Sequence, residues 1–305
     1  MANLKWFASL VFASTVVSTV SAETHCPGNV ASITPRIVEG ALIVIPVKIN
    51  NAGPFDFMVD TGSQVVVLDP SLASQLHIKV QGKVGLVSAT NYAAASVTIL
   101  DALAAGSHRV EKLLAAVQAL GQIQAADSRI RGVLGQSFLA HFDMVIDNEH
   151  KLLCLDETHA MQEKVRGEHI QLVAPPPTEN ELAYTERLVL TVRLSGIQNR
   201  QILVQLDSGS DGPILYPSAD EAERQILKQA TRRSGNASNA QQAFADLPPQ
   251  EMRIGTHTVS QVHFVTPVNV GLNIPTRDEA GLLPTVLFKR VYINHADHFA
   301  VIEPW

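Results

Sequence analysis

The feature that most constrains this chain is an internal repeat. The segment Val59–Ser63, which reads Val-Asp-Thr-Gly-Ser, recurs 147 residues later as Leu-Asp-Ser-Gly-Ser at Leu206–Ser210. Four further pairs of similar segments follow the same order: Ile45–Ile49 with Leu190–Leu194, Val67–Pro70 with Ile214–Pro217, Gly132–Gly135 with Gly281–Pro284, and Lys151–Asp156 with His298–Glu303. Five matched elements in one order indicate a duplication with unrelated insertions, so we expect two similar halves.

The segments around the repeats predict strands rather than helices. They are rich in Val, Ile and Leu, and turn residues separate them. Apolar residues make up 46% of the 305-residue chain and charged residues 17%, which is typical of a chain with a packed core. We therefore expect an all-β fold of two lobes with few short helices. Within it, Gln261–Thr266 reads as one strand and the polar stretch Arg232–Gln242 as a loop.

The N-terminal residues 1–22 read as a secretory signal peptide. Lys5 precedes an apolar stretch, Trp6–Val20, and Val20-Ser21-Ala22 matches a small-residue cleavage site. The alternative is an uncleaved anchor, but the stretch is shorter than the roughly 20 residues that span a bilayer. We expect a secreted or periplasmic protein with no stable membrane insertion after cleavage.

The chain has two cysteines, Cys26 and Cys154. In an oxidising compartment they could form one disulfide, and the alternative is a free thiol at Cys26 with a buried thiol at Cys154. Neither has the spacing of a metal ligand, and His295-Ala-Asp-His298 reads as a turn rather than a metal site. We expect no metal and no cofactor.

The charge pattern argues against nucleic acid as a partner. The formal net charge is −6 and no basic run occurs. Aromatic residues make up only 5% of the chain, too few for a platform on which bases stack.

The repeated Asp-Thr/Ser-Gly-Ser segment at the end of a strand resembles the aspartic proteases. Two copies in one chain are similar to the arrangement of pepsin-like enzymes, and the short lobes resemble two retropepsin-like subunits in tandem. The resemblance covers residues 36–305. It implies an N-terminal lobe at 36–157, a linker at 158–184 and a C-terminal lobe at 185–305. Since both Asp residues lie in one chain, it also implies a monomer.

The resemblance assigns the catalytic pair to Asp60 and Asp207. Two close carboxylates share one proton, so that one activates a water and the other protonates the peptide carbonyl; aspartic proteases are the standard case. The residues that support the two catalytic loops are Thr61, Gly62, Ser63, Ser208, Gly209 and Ser210. In the family, a Ser at the position of Ser63 and Ser210 accompanies an acidic working pH. The expected activity is therefore an acidic aspartic endopeptidase acting on peptides or proteins.

Parts of the chain depart from the family pattern or carry no motif. Pro284 stands where a Gly is expected, and proline lacks an N–H and has a fixed φ. A flap hairpin is expected within Gly82–Tyr92, with Gly85 at its tip and Tyr92 as a flap aromatic, and the alternative is an ordinary surface hairpin. A second flap is expected within Arg232–Asp246. The substrate-binding residues are not readable. Residues 23–34 are too short and too poor in basic residues to act as an inhibitory propeptide, so we expect activity directly after export.

Two other functions remain open from the sequence. The first is a non-catalytic peptide-binding module that retains the protease fold, which Pro284 and the weak flap motif would favour. The second is a structural envelope protein with a fortuitous motif, which the duplication of the Asp segment disfavours.

Overall fold

The computed structural model describes residues 25–87, 92–173, 187–195, 200–217, 231–237, 240–268 and 278–305. Strands and helices are numbered in chain order. The first half contains β1 (Ser32–Ile33), β2 (Arg36–Val38), β3 (Leu42–Ile49), β4 (Ala52–Val59), β5 (Val66–Leu68), α1 (Pro70–Gln75), β6 (Gly82–Val87), β7 (Tyr92–Ala105), β8 (His108–Val117), α2 (Gly121–Ala126), β9 (Ile130–Leu134), α3 (Gln136–Leu139), β10 (Asp143–Asp147) and β11 (Leu152–Asp156).

The described part of the second half contains strands and one 3₁₀ turn, Thr285–Leu287. Its strands are β12 (Ile170–Gln171), β13 (Val189–Leu194), β14 (Arg200–Asp207), β15 (Ile214–Leu215), β16 (Arg232–Ala237), β17 (Ala240–Asp246), β18 (Gln250–Ile254), β19 (His257–Val262), β20 (Val265–Val268), β21 (Gly281–Pro284), β22 (Phe288–Asn294) and β23 (Phe299–Pro304). The fold is all-β with short helices, as the sequence predicted.

Each half has its own sheet, and the two sheets share one pairing scheme. The first has the order β2-β3-β4-β9-β5-β8-β7-β6, and the second β16-β17-β20-β15-β21-β14-β13-β18-β19. In each sheet the strand that leads into the Asp segment lies parallel to the strand of the distal Gly-containing repeat, β4 beside β9 and β14 beside β21. The duplication seen in the sequence is therefore a duplication of strand pairing.

A third sheet joins the two halves. It has the order β1-β11-β10-β22-β23-β12, and its centre is the antiparallel pair β10–β22, which aligns Met144 with Ile293. The hairpins β10–β11 and β22–β23 contain the last repeated segments of each half. Because backbone hydrogen bonds cross between the halves here, the sheet holds them in a defined relation.

The main hydrophobic core is continuous across both halves. It includes the residues that precede each Asp, Val59 and Leu206, and their neighbours on the parallel strands, Leu134 and Leu283. All four side chains are fully buried. Burial of this kind supports both Asp segments on rigid strands rather than on free loops.

Three local predictions were wrong. The polar stretch at Arg232–Gln242 is not a loop, because β16 and β17 form an antiparallel hairpin there. Gln261–Thr266 is broken between β19 and β20, which pair with different strands. Gly85 is not a hairpin tip, since it pairs with Ala94 and the pairing of β6 with β7 continues beyond it to Val87 and Tyr92. A strand pattern read one segment at a time does not show where a hairpin turns.

Several segments named above fall partly or wholly outside the described residues, among them 88–91 and 238–239 of the two expected flaps. The signal peptide at 1–22 lies outside them, as does 174–184 of the linker. The beginning of that linker is structured, because β12 pairs with β23 and Met161 is fully buried. No helix among the described residues is long and apolar enough to cross a membrane.

The structure resolves the alternatives for the cysteines. Cys26 and Cys154 form a disulfide, with their Cα atoms 5.8 Å apart. The bond attaches the segment before β1 to β11 in the sheet that joins the halves. Both cysteines pack in a small apolar cluster with Met161 and Tyr292.

Candidate active site

The two Asp segments meet at the ends of β4 and β14. Asp60 directly follows β4, and Asp207 is the last residue of β14. Their carboxyl groups hydrogen-bond each other. Asp207 is only 7% exposed, while Asp60 is partly exposed. The structure therefore brings together the two carboxyls that the sequence singled out.

Hydroxyl groups from each segment fasten it to the other. The Thr61 hydroxyl donates to the Leu206 carbonyl over 2.9 Å and accepts from the Ser208 N–H, also over 2.9 Å. In the reverse direction the Ser208 hydroxyl donates to the Val59 carbonyl over 2.9 Å and accepts from the Thr61 N–H over 3.1 Å. All four bonds are buried, so they cross-link the two halves directly behind the carboxyls.

Backbone N–H groups orient each carboxylate within its own segment. Asp60 accepts from the Gly62 N–H over 2.9 Å and from the Ser63 N–H over 3.0 Å. Asp207 accepts from the Gly209 N–H over 2.7 Å. These bonds stabilise the charged form of either carboxyl.

Burial and mutual repulsion work in the opposite direction. Burial raises the pKa of the Asp60 carboxyl above its ordinary value, and hydrogen bonds from Asp207, Gly62 and Ser63 limit that rise. Burial raises the pKa of Asp207 well above its ordinary value, and the Asp60 charge raises it further. Two carboxyls in contact, shielded from most of the solvent, do not both ionise readily, so the pair retains one proton into less acidic solution.

Glycines 62 and 209 allow the carboxyls to approach. A Cβ on Gly62 would lie 2.6 Å from the Asp207 Cγ, and a Cβ on Gly209 would collide with the Asp60 Cγ in the same way. Each Gly therefore leaves space for the carboxyl of the other half. This reciprocal contact explains why the same residue stands at the same place in both repeats.

We expect Gly62→Ala to reduce kcat/KM by about 10²-fold, because it displaces the Asp207 carboxyl from its partner. Gly212→Ala is the matched control, since a Cβ there meets nothing within 4 Å. The measurement is peptide hydrolysis by both variants, with circular dichroism to verify folding. Equal activity in the two variants would contradict the assigned role of Gly62.

The hydroxyls of Ser63 and Ser210 donate to carbonyls of their own loops. The Ser63 hydroxyl donates to the Val65 carbonyl over 2.9 Å, and the Ser210 hydroxyl to the Gly212 carbonyl over 2.7 Å. A hydroxyl has one hydrogen to donate, so neither is left to donate to an Asp. The two side chains therefore stabilise their loops, and other groups determine the charge of the Asp60–Asp207 pair.

Pro284 is accommodated in the second half. It stands opposite Asp207 in the parallel pair β14–β21, with φ −70°, a value that proline adopts without strain. The bonds between Thr61 and Ser208 form despite it. The departure from the family pattern therefore leaves the second Asp segment in register.

Sequence reasoning missed two amides that hold the first Asp segment. The Gln136 side chain donates to the Thr61 carbonyl over 3.0 Å, and the Gln205 side chain, from the other half, donates to the Gly62 carbonyl over 3.0 Å. Both side chains are buried. Two signals in the sequence could have found them. Gln205 is a polar residue within an apolar strand, and Gln136 is a polar residue directly after the Gly132–Gly135 repeat.

Comparison with known proteins finds a family match in the first half of the chain. An aspartyl protease family model matches residues 45–138, which contain Asp60. The match confirms the resemblance to the aspartic protease family and supports a protease function. No curated protein matches the chain. Among solved structures, a retropepsin-like aspartic protease from Rickettsia conorii is 23% identical, with a TM-score of 0.32, over 41% of this chain and 88% of that one.

The described residues contain no group of three or more His, Cys, Asp or Glu side chains that could hold a metal ion. The segment His295–His298 forms a turn between β22 and β23.

Proposed function

We propose that this chain is an aspartic endopeptidase in which Asp60 and Asp207 act as one catalytic pair. The observation that carries the proposal is the contact of the two carboxyls, cross-linked by the hydroxyls of Thr61 and Ser208. With one shared proton, the ionised carboxyl removes a proton from a water that attacks the peptide carbonyl. The protonated carboxyl donates to the carbonyl oxygen and, after proton redistribution, the amine leaves.

The proposed substrate is an extended peptide. Among the described strands, β6 and β16 stand at the edges of the two half-sheets, and each belongs to a hairpin. Edge strands have free backbone groups that an extended peptide can pair with. In the proposed enzyme these two hairpins serve as flaps, and a single chain supplies the complete site, so it acts as a monomer.

The proposed location is outside the cytoplasm, after removal of residues 1–22. The disulfide between Cys26 and Cys154 supports it, because such bonds persist in oxidising compartments. The alternative of a non-catalytic binding module loses its main motivation, since Pro284 leaves the second segment in register.

The proposed working range is acidic. Activity requires the singly protonated pair, so it falls as pH rises through the raised pKa of Asp207. Since the hydroxyls of Ser63 and Ser210 donate elsewhere, Ser63→Ala and Ser210→Ala are expected to move that alkaline limb by less than about one pH unit. The measurement is kcat/KM against pH. A larger shift in either variant would show that its hydroxyl contacts the pair during turnover.

The proposal is tested by digesting a peptide mixture with the mature protein, residues 23–305, and identifying products by mass spectrometry. We expect internal cleavages that a chelator leaves unchanged. Added hydroxylamine is expected to give no hydroxamate products, because water attacks directly and no acyl-enzyme forms. Hydroxamate products would indicate a covalent mechanism, and absence of cleavage by folded protein from about pH 3 to about pH 8 would reject the endopeptidase.

A further inference from the structure

The amide of Gln136 links the first Asp segment to a buried histidine. Gln136 is 2% exposed, and its nitrogen donates to the Thr61 carbonyl. Its oxygen lies 3.1 Å from Nε2 of His295, a residue 159 positions further along the chain. Because the amide nitrogen donates to the Thr61 carbonyl, the end of the amide that faces the imidazole is its oxygen, which can only accept.

The other ring nitrogen also faces an acceptor. His295 is 5% exposed, and its Nδ1 lies 2.6 Å from the Phe142 carbonyl oxygen. A neutral imidazole has one N–H and can satisfy only one of the two acceptors, whereas an imidazolium donates to both. The geometry around His295 is therefore complete only when the ring is protonated.

The charged surroundings of His295 are defined by β10 and by its own turn. The Asp143 carboxylate favours the imidazolium, and His298 opposes it. Asp143 is itself buried, and one of its oxygens accepts from His159, Tyr292 and Asn294. Burial is the largest influence and lowers the pKa of His295 to about 4.

Protonation therefore changes the number of hydrogen bonds that reach the active site. In neutral solution the ring has one proton, which the short contact to Phe142 favours at Nδ1. Nε2 then presents a lone pair to the Gln136 oxygen, and the two repel. On protonation, Nε2 becomes a donor and holds the amide that supports Thr61.

We propose that His295 is a positioning residue whose protonation fastens Gln136, and through it the Thr61 carbonyl, beside the catalytic pair. The catalytic consequence rests on the proposed endopeptidase function. The proton comes from solvent, and no covalent bond changes. The chain would thus hold its first Asp segment most firmly in the acidic range in which the pair is proposed to work.

The direct test is ¹⁵N NMR of the wild-type protein labelled at His and Gln. We expect His295 to become doubly protonated with a midpoint near the pKa of about 4, and the Gln136 side-chain amide to shift with the same midpoint. A Gln136 amide that stays unchanged while His295 titrates would overturn the inference. So would a His295 ring that remains neutral throughout the range in which the protein is folded. This test needs no enzymatic activity.

Kinetic variants separate positioning from mere structural support. His295→Leu removes the donor, and we expect kcat to fall about tenfold at acidic pH with KM little changed. His295→Gln keeps an uncharged N–H donor, so we expect kcat to recover. We also expect kcat to lose the part of its pH dependence that follows protonation of His295. The control is His141→Leu, because His141 is exposed and directly precedes Phe142 in the chain. We expect this variant to have wild-type kinetics.

The outcomes distinguish the two proposals. If the folded wild type cleaves no peptide, the endopeptidase function fails, while the NMR experiment still decides whether His295 and Gln136 titrate together. If the wild type cleaves peptides and His295→Leu matches it in kcat at every pH, the positioning role of His295 fails alone.

Discussion

Asp207→Asn is expected to reduce kcat/KM for peptide cleavage by about 10²–10⁴-fold, the usual contribution of a general acid–base group. The amide cannot exchange the shared proton with Asp60. Asp60→Asn is expected to cause a loss of the same order. The double variant is expected to be little worse than either single one, because the two groups act as a unit. Steady-state kinetics on the four proteins checks this.

The same variant is expected to be more stable than the wild type at neutral pH, which separates catalysis from folding. The folded-state pKa of Asp207 is raised. A raised carboxyl pKa contributes stability below the unfolded value of about 3.9, and this is lost as pH rises through the folded value. Replacing the carboxyl removes that loss, so denaturant unfolding at pH about 7 should show a higher midpoint for Asp207→Asn.

For the kinetic prediction, losses in kcat/KM that simply add up in the double variant would contradict a coupled pair.

Removing the disulfide has the largest expected effect on stability. The bond closes a loop with a sequence separation of 128 residues. Loop-closure entropy for that length predicts a loss of about 4–5 kcal/mol in the free energy of unfolding for the double variant Cys26→Ala/Cys154→Ala.

The loss is measured by denaturant unfolding of the double variant beside oxidised and reduced wild type. We expect the reduced wild type to be about as unstable as the variant, because both lack the cross-link. The reduced wild type keeps its sulfur atoms, so it separates the effect of the bond from the effect of removing those atoms. A variant as stable as the oxidised protein would contradict the assigned role of the bond between the N-terminal segment and β11.

The sequence predicts most of the fold because the fold is a repeat. A second copy of the Asp segment, with matching strands before and after it, has few arrangements other than two similar sheets. The distal Gly-containing repeats become β9 and β21, and the structure pairs them with β4 and β14 in the same parallel arrangement. The sequence could not decide between a disulfide and free thiols, because the spacing of two cysteines along the chain does not give their distance in the fold.

The parts of the site that escaped sequence analysis are contacts between distant, unrepeated residues. Gln136 has no counterpart that the duplication would highlight, and His295 lies 159 residues from it. Gln205 replaces the apolar Met58 of the other half, so alignment of the repeats treats it as a mismatch. The motif predicts that Ser63 and Ser210 support their loops, but it does not contain the Val65 and Gly212 carbonyls to which their hydroxyls donate.

The central claim is that the two halves bring Asp60 and Asp207 into one pair that shares a proton. The most direct test is a pH titration of the ¹³C-labelled Asp carboxyl signals, with Asp60→Asn and Asp207→Asn used to assign them. The account predicts that one carboxyl of the wild type keeps its proton well above the ordinary Asp value of about 3.9, and that either substitution removes the coupling. Two independent titrations near that ordinary value, each unaffected by substitution of the other residue, would contradict it.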